Sequence, residues 1–316
     1  MIRIFACVLC ALISFTAYAQ QSTRRVAITI DDLPWASLPD HAPADLPVQH
    51  ARLMAALKAE RIPIIGFVNE GKLVADGINQ PARVAMLRDW LDAGFELGNH
   101  TWGHVNLHTV GLTAYEADIL RGETVLRPML ASHGQTPRWF RHPFLSAGRS
   151  IADKDALQAF LSAHGYRIAP VTIDDSDWIW AKAYRKSLDA NDVPTQIHLR
   201  RDYLPYMMSK VDYYQRQSRA LFGREIPQIL LIHANEMTAV NFGRLIDGFR
   251  ARGYTFITLD EALRDPAYAH ADTFVRNYGP SWLHRWAFSE GKTNPFFAGE
   301  PVTPAWVMKL AGVDSE

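Results

Sequence analysis

The sequence predicts an α/β fold of parallel strands joined by helical crossovers, either a barrel or a doubly wound sheet. Three observations predict it. Short β-rich apolar runs alternate with longer amphipathic segments. Gly94, Gly165 and Gly253 stand where helices should stop before strands, and Pro81 suits a first helical turn. Ionisable residues recur just after several strands, where α/β folds build their sites. A chain of 316 residues, 48% hydrophobic, can bury one large barrel or two smaller domains.

In chain order, the first nineteen residues read as a leader. Arg3 gives a short positive start, and Ile4 to Phe15 form an apolar run too short to span a bilayer. Ala17-Tyr18-Ala19 then supplies the small-x-small pattern of a signal-peptidase site, leaving a mature chain from Gln20. Export to the periplasm or medium is expected, with no membrane span in the mature chain. The two cysteines, Cys7 and Cys10, fall inside the leader, so the mature chain is expected to have neither disulfide nor cysteine ligand. Cys10 lacks the small preceding pair that lipoprotein attachment prefers.

Strands are expected at Arg25–Ile30, Pro63–Val68, Phe95–Asn99, Arg138–Phe140, Tyr166–Ile173, Gln228–His233 and Tyr254–Thr258. Helices are expected at Val48–Glu60, Pro81–Asp92, Ala114–Ala131, Asp153–His164 and Asn241–Arg252. The stretch from about Ala183 to Arg224 is longer and more polar than one connection needs. It carries Tyr203, Tyr206, Tyr213 and Tyr214 and reads as a helical insertion. Past Asp265 lies an extension, residues 266–316, holding Phe274, Tyr278, Trp282, Trp286, Phe288, Phe296, Phe297 and Trp306. Its aromatics either cap the barrel or stack on sugar rings; packing is the more ordinary use of such residues. The formal net charge is +0 without basic or acidic blocks, which argues against a nucleic-acid partner and permits a neutral ligand such as a glycan. No protein partner is implied.

The reactive side chains share one address. Asp31 and Asp32 follow the first strand, His100 and His104 the third, Arg141 the fourth, Asp174 and Asp177 the fifth, and His233 ends the strand at 228. His100 and His104 are four apart, on one face if that segment is helical, and two such imidazoles plus a carboxylate can hold a divalent ion. A pair of hydrogen-bonding histidines at a helix start fits the spacing as well. His108 continues the spacing as a third-ligand candidate or a polar stripe. Adjacent aspartates at a strand end are expected to point opposite ways, one binding a metal while the other accepts a proton from water; a turn or an N-cap is the simpler use of such a pair.

Taken in order, Thr29-Ile30-Asp31-Asp32, His100-Thr101-Trp102-Gly103-His104, Arg141-His142-Pro143-Phe144, Asp174-Asp175-Ser176-Asp177-Trp178 and Leu231-Ile232-His233 resemble the five motifs of the polysaccharide deacetylases, the carbohydrate esterase family 4 or NodB-homology group. The resemblance covers roughly Val26 to Leu263. It implies a distorted (β/α) barrel of seven or eight units that removes N-acetyl or O-acetyl groups from chitin, peptidoglycan, xylan or a related glycan. The domains implied are a leader at 1–19, a NodB-like domain at 20–265 with its insertion at 183–224, and the extension at 266–316. The resemblance makes Asp31 the general base, and Asp32, His100 and His104 the ligands of one divalent ion. Zinc is the first choice, with cobalt, nickel or manganese as alternatives. Arg141 would hold the base ionised, with Asp174 as the arginine's acidic partner. The backbone N–H of Phe144 would bind the oxyanion, Trp178 wall the groove, Leu231 line the acetyl pocket and His233 protonate the leaving amine. Ile30 and Phe144 depart from a commoner phenylalanine and tyrosine, and His142 is an unusual neighbour that would be placed to touch substrate. None of these removes a group the chemistry requires. Two other functions fit the same motifs: deacylation or deformylation of a small or lipid-linked amino sugar, and non-catalytic glycan binding. The second usually lacks the base or acid, and both are here.

Overall fold

The computed structural model describes residues 24–38 and 43–316; the expected leader, with Cys7 and Cys10, lies outside the described residues. Eight strands form one sheet: β1 (Arg24–Leu33), β2 (Ile64–Val68), β3 (Glu96–Asn99), β4 (Trp139–Phe140), β5 (Arg167–Ile168), β6 (Ile173–Asp174), β7 (Gln228–His233) and β8 (Tyr254–Phe256). Their spatial order is β5-β4-β3-β2-β1-β7-β6, all parallel, with β8 beside the first residues of β1. The two edge strands, β5 and β6, are consecutive in the chain. The link between them spans at most about 18 Å when fully extended, so the sheet must curl until its edges approach. The result is the expected distorted barrel, open along one seam.

Helices flank the sheet: α1 (Leu46–Glu60), α2 (Pro81–Asp92), α3 (Leu112–Arg121), α4 (Leu126–Ser132), α5 (Ile151–Ala163), α6 (Asp177–Asp189), α7 (Val193–Phe222), α8 (Glu236–Ala251), α9 (Trp282–Ser289) and α10 (Ala305–Ala311). Gly94, Gly165 and Gly253 take φ of 81°, 81° and 76°, the left-handed stop expected of them.

Two sequence expectations need correction. The run Tyr166–Ile173 is two short strands on opposite edges of the seam. Pro170 lies between them, lacks an N–H and breaks the ladder, while Ala169 and Thr172 donate to Phe140 and Ile229 on different neighbours. The run Ala114–Ala131 is two helices. The carboxylate of Glu70, distant in sequence, accepts from the N–H groups of Val125 and Leu126 at 2.9 and 2.6 Å and so starts α4 separately.

Strand alternation sorts the core and aims the site. Val26, Ile28 and Ile30 of β1 pack outward in the large core with Leu53, Leu57, Phe242 and Phe249 of the helices. Ala27 of β1, Ile65 and Phe67 of β2, Trp139 of β4 and Ile229 of β7 form a smaller inner cluster with Leu259 and Ala262, which close the barrel's lower end. The inward rows therefore read Ala27, Thr29, Asp31 and Ile229, Leu231, His233. Each row begins apolar at the closed end and finishes ionisable at the open one.

The stretch from 183 to 224 is helical, formed by the later turns of α6 and by α7. Its four tyrosines are buried, so the polar composition belongs to the outer face only. Three of the hydroxyls tie α7 to the C-terminal residues: Tyr206 meets Thr303 at 3.2 Å, Tyr213 meets His284 at 3.0 Å and Tyr214 donates to Glu300 at 2.9 Å. Phe274, Trp282 and Trp286 are buried, and the Trp282 N–H donates to Val171 in the seam at 2.7 Å. These three rings pack over the seam.

Candidate active site

Asp31 and His233 are register partners on the neighbouring strands β1 and β7, both on inward rows. Asp32 should then point away, as strand alternation demands. It does not. Between Ile30 and Leu33 the pairing with β2 slips by one residue, and Asp32 takes a φ of 73°. The bulge turns its side chain back toward the same mouth. Both carboxylates consequently approach one imidazole: His100 Nε2 lies 3.7 Å from Asp31 Oδ2 and 3.9 Å from Asp32 Oδ1.

The histidine pair is likewise not helical. Thr101 and His104 have φ of 63° and 51°, so the segment folds as a tight loop. Asn69 holds that loop by donating to His100 O at 2.5 Å, Gly71 N–H donates to Trp102 O at 2.8 Å, and Thr101 N–H donates to Asn99 Oδ1 at 2.7 Å. His100 Nδ1 lies 2.9 Å from the carbonyl of Arg141. A carbonyl only accepts, so Nδ1 carries the proton and Nε2 presents a lone pair.

Asp32, His100 and His104 bring one ligand atom each within 4.8 Å of the others. His104 Nε2 stands 3.5 Å from Asp32 Oδ1, and His100 Nε2 stands 3.9 Å from it. Tetrahedral ligands at about 2.1 Å from a zinc ion lie about 3.4 Å from one another, so the spacing fits a first-row divalent ion. Burial pushes both imidazoles below their ordinary range, which keeps them neutral and able to ligate. Burial also opposes ionisation of Asp32, but Lys72, with its Nζ 3.0 Å from Oδ1, and the nearby histidines outweigh it and hold this carboxyl well below the usual range. Sequence reasoning did not single out Lys72; it comes from the loop after β2 and carries no motif.

Asp31 has a different environment. It is 2% exposed and burial pushes its carboxyl up to about 6, against the pull of Arg141 and His233. Its Oδ1 has no hydrogen-bond partner among the described residues. Arg141 is fully buried, with Nη1 3.9 Å from Asp31 Oδ2 and Nη2 donating to Thr29 Oγ1 at 2.8 Å. Among the described residues its ion pair is with Asp31; Asp174 acts on it only through the field. Asp174 itself is raised by burial, with Lys210 opposing.

His233 is held by Asp177, whose side chain accepts from His233 Nδ1 at 2.6 Å and from its backbone N–H at 2.9 Å. Burial alone would lower this imidazole, but Asp177 and the two aspartates of β1 lift it to about 10. Asp177 stands in the fourth motif, yet nothing local marks it as the residue that reaches a strand 56 positions on.

A cavity of about 540 Å³ opens over these groups, with Asp31, Asp32, His100, His104, Asp174 and His233 in its walls. Leu231 lines its floor and Trp178, 40% exposed, stands at its rim. Phe144 takes a φ of 55° and places its ring centroid 4.5 Å from that of His104. His108 is not in the cluster; its Nε2 accepts from Gly148 N–H at 3.2 Å. His142 borders the cavity but is 1% exposed, stacked between Tyr115 and Trp282.

The distorted barrel thus carries a His-His-Asp cluster and a flanking Asp–His pair at its strand ends. Residues 19–169 match the polysaccharide deacetylase family, a stretch that includes Asp31, Asp32, His100, His104, Arg141 and Phe144. The match covers a little under half of the chain. Among solved structures it is similar to BA3943, a CE4 family pseudoenzyme from Bacillus anthracis, at 16% identity over 77% of this chain and 66% of that one, with a TM-score of 0.52. A BA3943 mutant with restored enzymatic activity aligns at 17% identity over 77% and 68%, also at 0.52. At such identities the likeness speaks for the fold. Among curated proteins none is significantly similar to this chain. Among the described residues, no helix is long and apolar enough to cross a membrane.

Proposed function

We propose that this protein is an exported, metal-dependent deacetylase that hydrolyses N-acetyl groups, or O-acetyl groups, on a glycan. One observation carries the reading: Asp31 and His233 are register partners beside the Asp32–His100–His104 cluster, in opposite states of readiness. Asp31 Oδ1 is an unpartnered buried acceptor, and His233 is held protonated. Residue by residue, this supports a base and an acid on the two sides of one acyl group. The likeness to a pseudoenzyme does not decide against catalysis, because these residues are present.

Asp32, His100 and His104 would hold the ion, and their mixture of imidazoles and carboxylate suits zinc. When bound, a divalent ion there polarises the acyl carbonyl and lowers the pKa of water. Asp31 takes a proton from the attacking water at Oδ1. Arg141 fixes Asp31 through its other oxygen and favours the ionised form. With Nδ1 committed to Asp177, His233 gives the proton on Nε2 to the departing nitrogen. The Phe144 N–H is the proposed oxyanion donor, Leu231 bounds the acetyl methyl, and Trp178 offers a ring to the sugar. Asp174 shapes the field around Arg141 and His233 from the cavity wall.

The test is acetate release by protein loaded with zinc, on chitooligosaccharides, peptidoglycan and acetylated xylan. Release should stop with a chelator and in Asp31→Asn. No acetate from any of them, at confirmed metal content, would overturn the proposal.

A further inference from the structure

One face of α6 forms a wall of the same cavity. Trp178, Lys182 and Lys186 recur four residues apart on it, with Arg185 between, and all four line the cavity. That stretch of the face carries three cations, and the one acid following them, Asp189, is paired with Arg185. Elsewhere around the cavity, charge is matched. Asp31 faces Arg141 at 3.9 Å and Asp32 faces Lys72 at 3.0 Å. Arg185 is taken by Glu236 at 3.1 Å, with Asp45 at 3.3 Å and Asp189 alongside. Glu316 lies 3.8 Å from Lys210, and buried Asp174 sits in the field of that same lysine. Lys182 and Lys186 are exposed and have no carboxylate partner among the described residues. In a chain whose formal net charge is +0, this positive strip is local to the mouth.

The helix also sets a distance. Asp177, which grips His233, begins α6, and at 1.5 Å per residue the two lysines follow about 8 and 14 Å along the axis. A saccharide with its acyl group between Asp31 and His233, leaning on Trp178, would run past both ammonium groups.

We infer that the substrate is an acidic glycan, with a carboxylate or phosphate group a sugar ring or more from the acylated residue, bound there by Lys182 and Lys186. The inference rests on the deacetylase reading and names the substrate class of that site. Compact, mobile ammonium groups suit either anion, without the bidentate selectivity of arginine.

The test is calorimetric binding to the full metal-loaded protein at low and moderate salt. Three hexasaccharides serve as probes: neutral N-acetylglucosamine, alternating glucuronate and N-acetylglucosamine, and 6-phosphorylated N-acetylglucosamine. An acidic probe should bind about tenfold more tightly than the neutral one, less so as salt rises. In K182Q/K186Q the affinities should converge, with the thermal midpoint unchanged. The acidic probe that gains more identifies the anion. Equal affinities in the wild type, or a preference that survives in K182Q/K186Q, would overturn the inference. Charge-dependent binding without acetate release from any probe would sink the deacetylase reading and leave the anion site standing.

Discussion

Replacing Asp177 by asparagine should move the alkaline limb of the pH–rate profile. In the wild type, the carboxylate at 2.6 Å is the main force lifting His233 to about 10, and burial works the other way. Without that charge the imidazole should fall toward its ordinary 6.5, burial lowering it and Asp31 and Asp32 still raising it. At pH 8, a group titrating at 10 is about 99% protonated, and one titrating at 6.5 about 3%. If His233 is the proton donor, kcat/KM on an N-acetyl substrate should therefore fall by about thirtyfold at pH 8, and much less at pH 5.5. A cation on the neighbouring cluster lowers both limbs and leaves their order intact. An activated ester such as a nitrophenyl acetate, whose leaving group departs as an anion, should lose far less. The assay is the full profile of both proteins on both substrates, with the His233 ring followed by NMR. An alkaline limb that stays put in Asp177→Asn, while the ring titration moves, would refute His233 as the acid. The same linkage bears on stability: a raised histidine stabilises the fold fully below 6.5, and that contribution is lost as the pH rises through 10. The wild type should lose it over that range, and Asp177→Asn should have little to lose.

His100→Ala should strip the protein of the roughly one equivalent of metal expected from elemental analysis, and unchanged content would sink the assignment. Asp31→Asn should lower kcat by roughly 10²–10⁴-fold with metal retained; loss of the metal there and its retention in Asp32→Asn would mean the two aspartates are reversed. Lys72→Met should tighten metal binding in a chelator competition, because a fixed cation leaves Asp32 Oδ1; weaker binding would mean Lys72 chiefly orders that carboxylate. Glu70→Ala leaves the Val125 and Leu126 N–H groups without their acceptor, and should cost about 1–3 kcal/mol in denaturant unfolding.

Much of this site was legible because strand ends are readable. An apolar run that finishes in Asp31 or His233 fixes both the address and, by alternation, the side of the sheet. What stayed hidden depends on partners distant in sequence or on backbone that breaks the local rule. Lys72 and Asn69 come from a loop without a motif, and Asp177 gains its meaning only through His233. The histidine spacing suggested a helix, whereas the loop at Thr101 and His104 is held in the left-handed region by bonds from β3 and the turn after β2. Pro170 was visible all along, and it was the signal that Tyr166–Ile173 could not be one strand.

The adjacent aspartates show why such irregularities sit at the site. On an ideal strand, Asp31 and Asp32 would face opposite sides, and one would be wasted. A single inserted residue and one φ of 73° put both at the mouth. Being neighbours at one mouth does not make them equivalent. Asp31 is sealed on an inward row with a buried guanidinium almost 4 Å away, and its carboxyl rises to about 6. Asp32 has an ammonium at 3.0 Å and two imidazoles close by, and stays ionised far below that. A carboxylate that never protonates is what a ligand must be. One that titrates near 6 is the stronger proton acceptor at neutral pH, since basicity and ionisation are both available there. In the proposed mechanism, the bulge thus lets two chemically identical side chains take the separate parts of ligand and base.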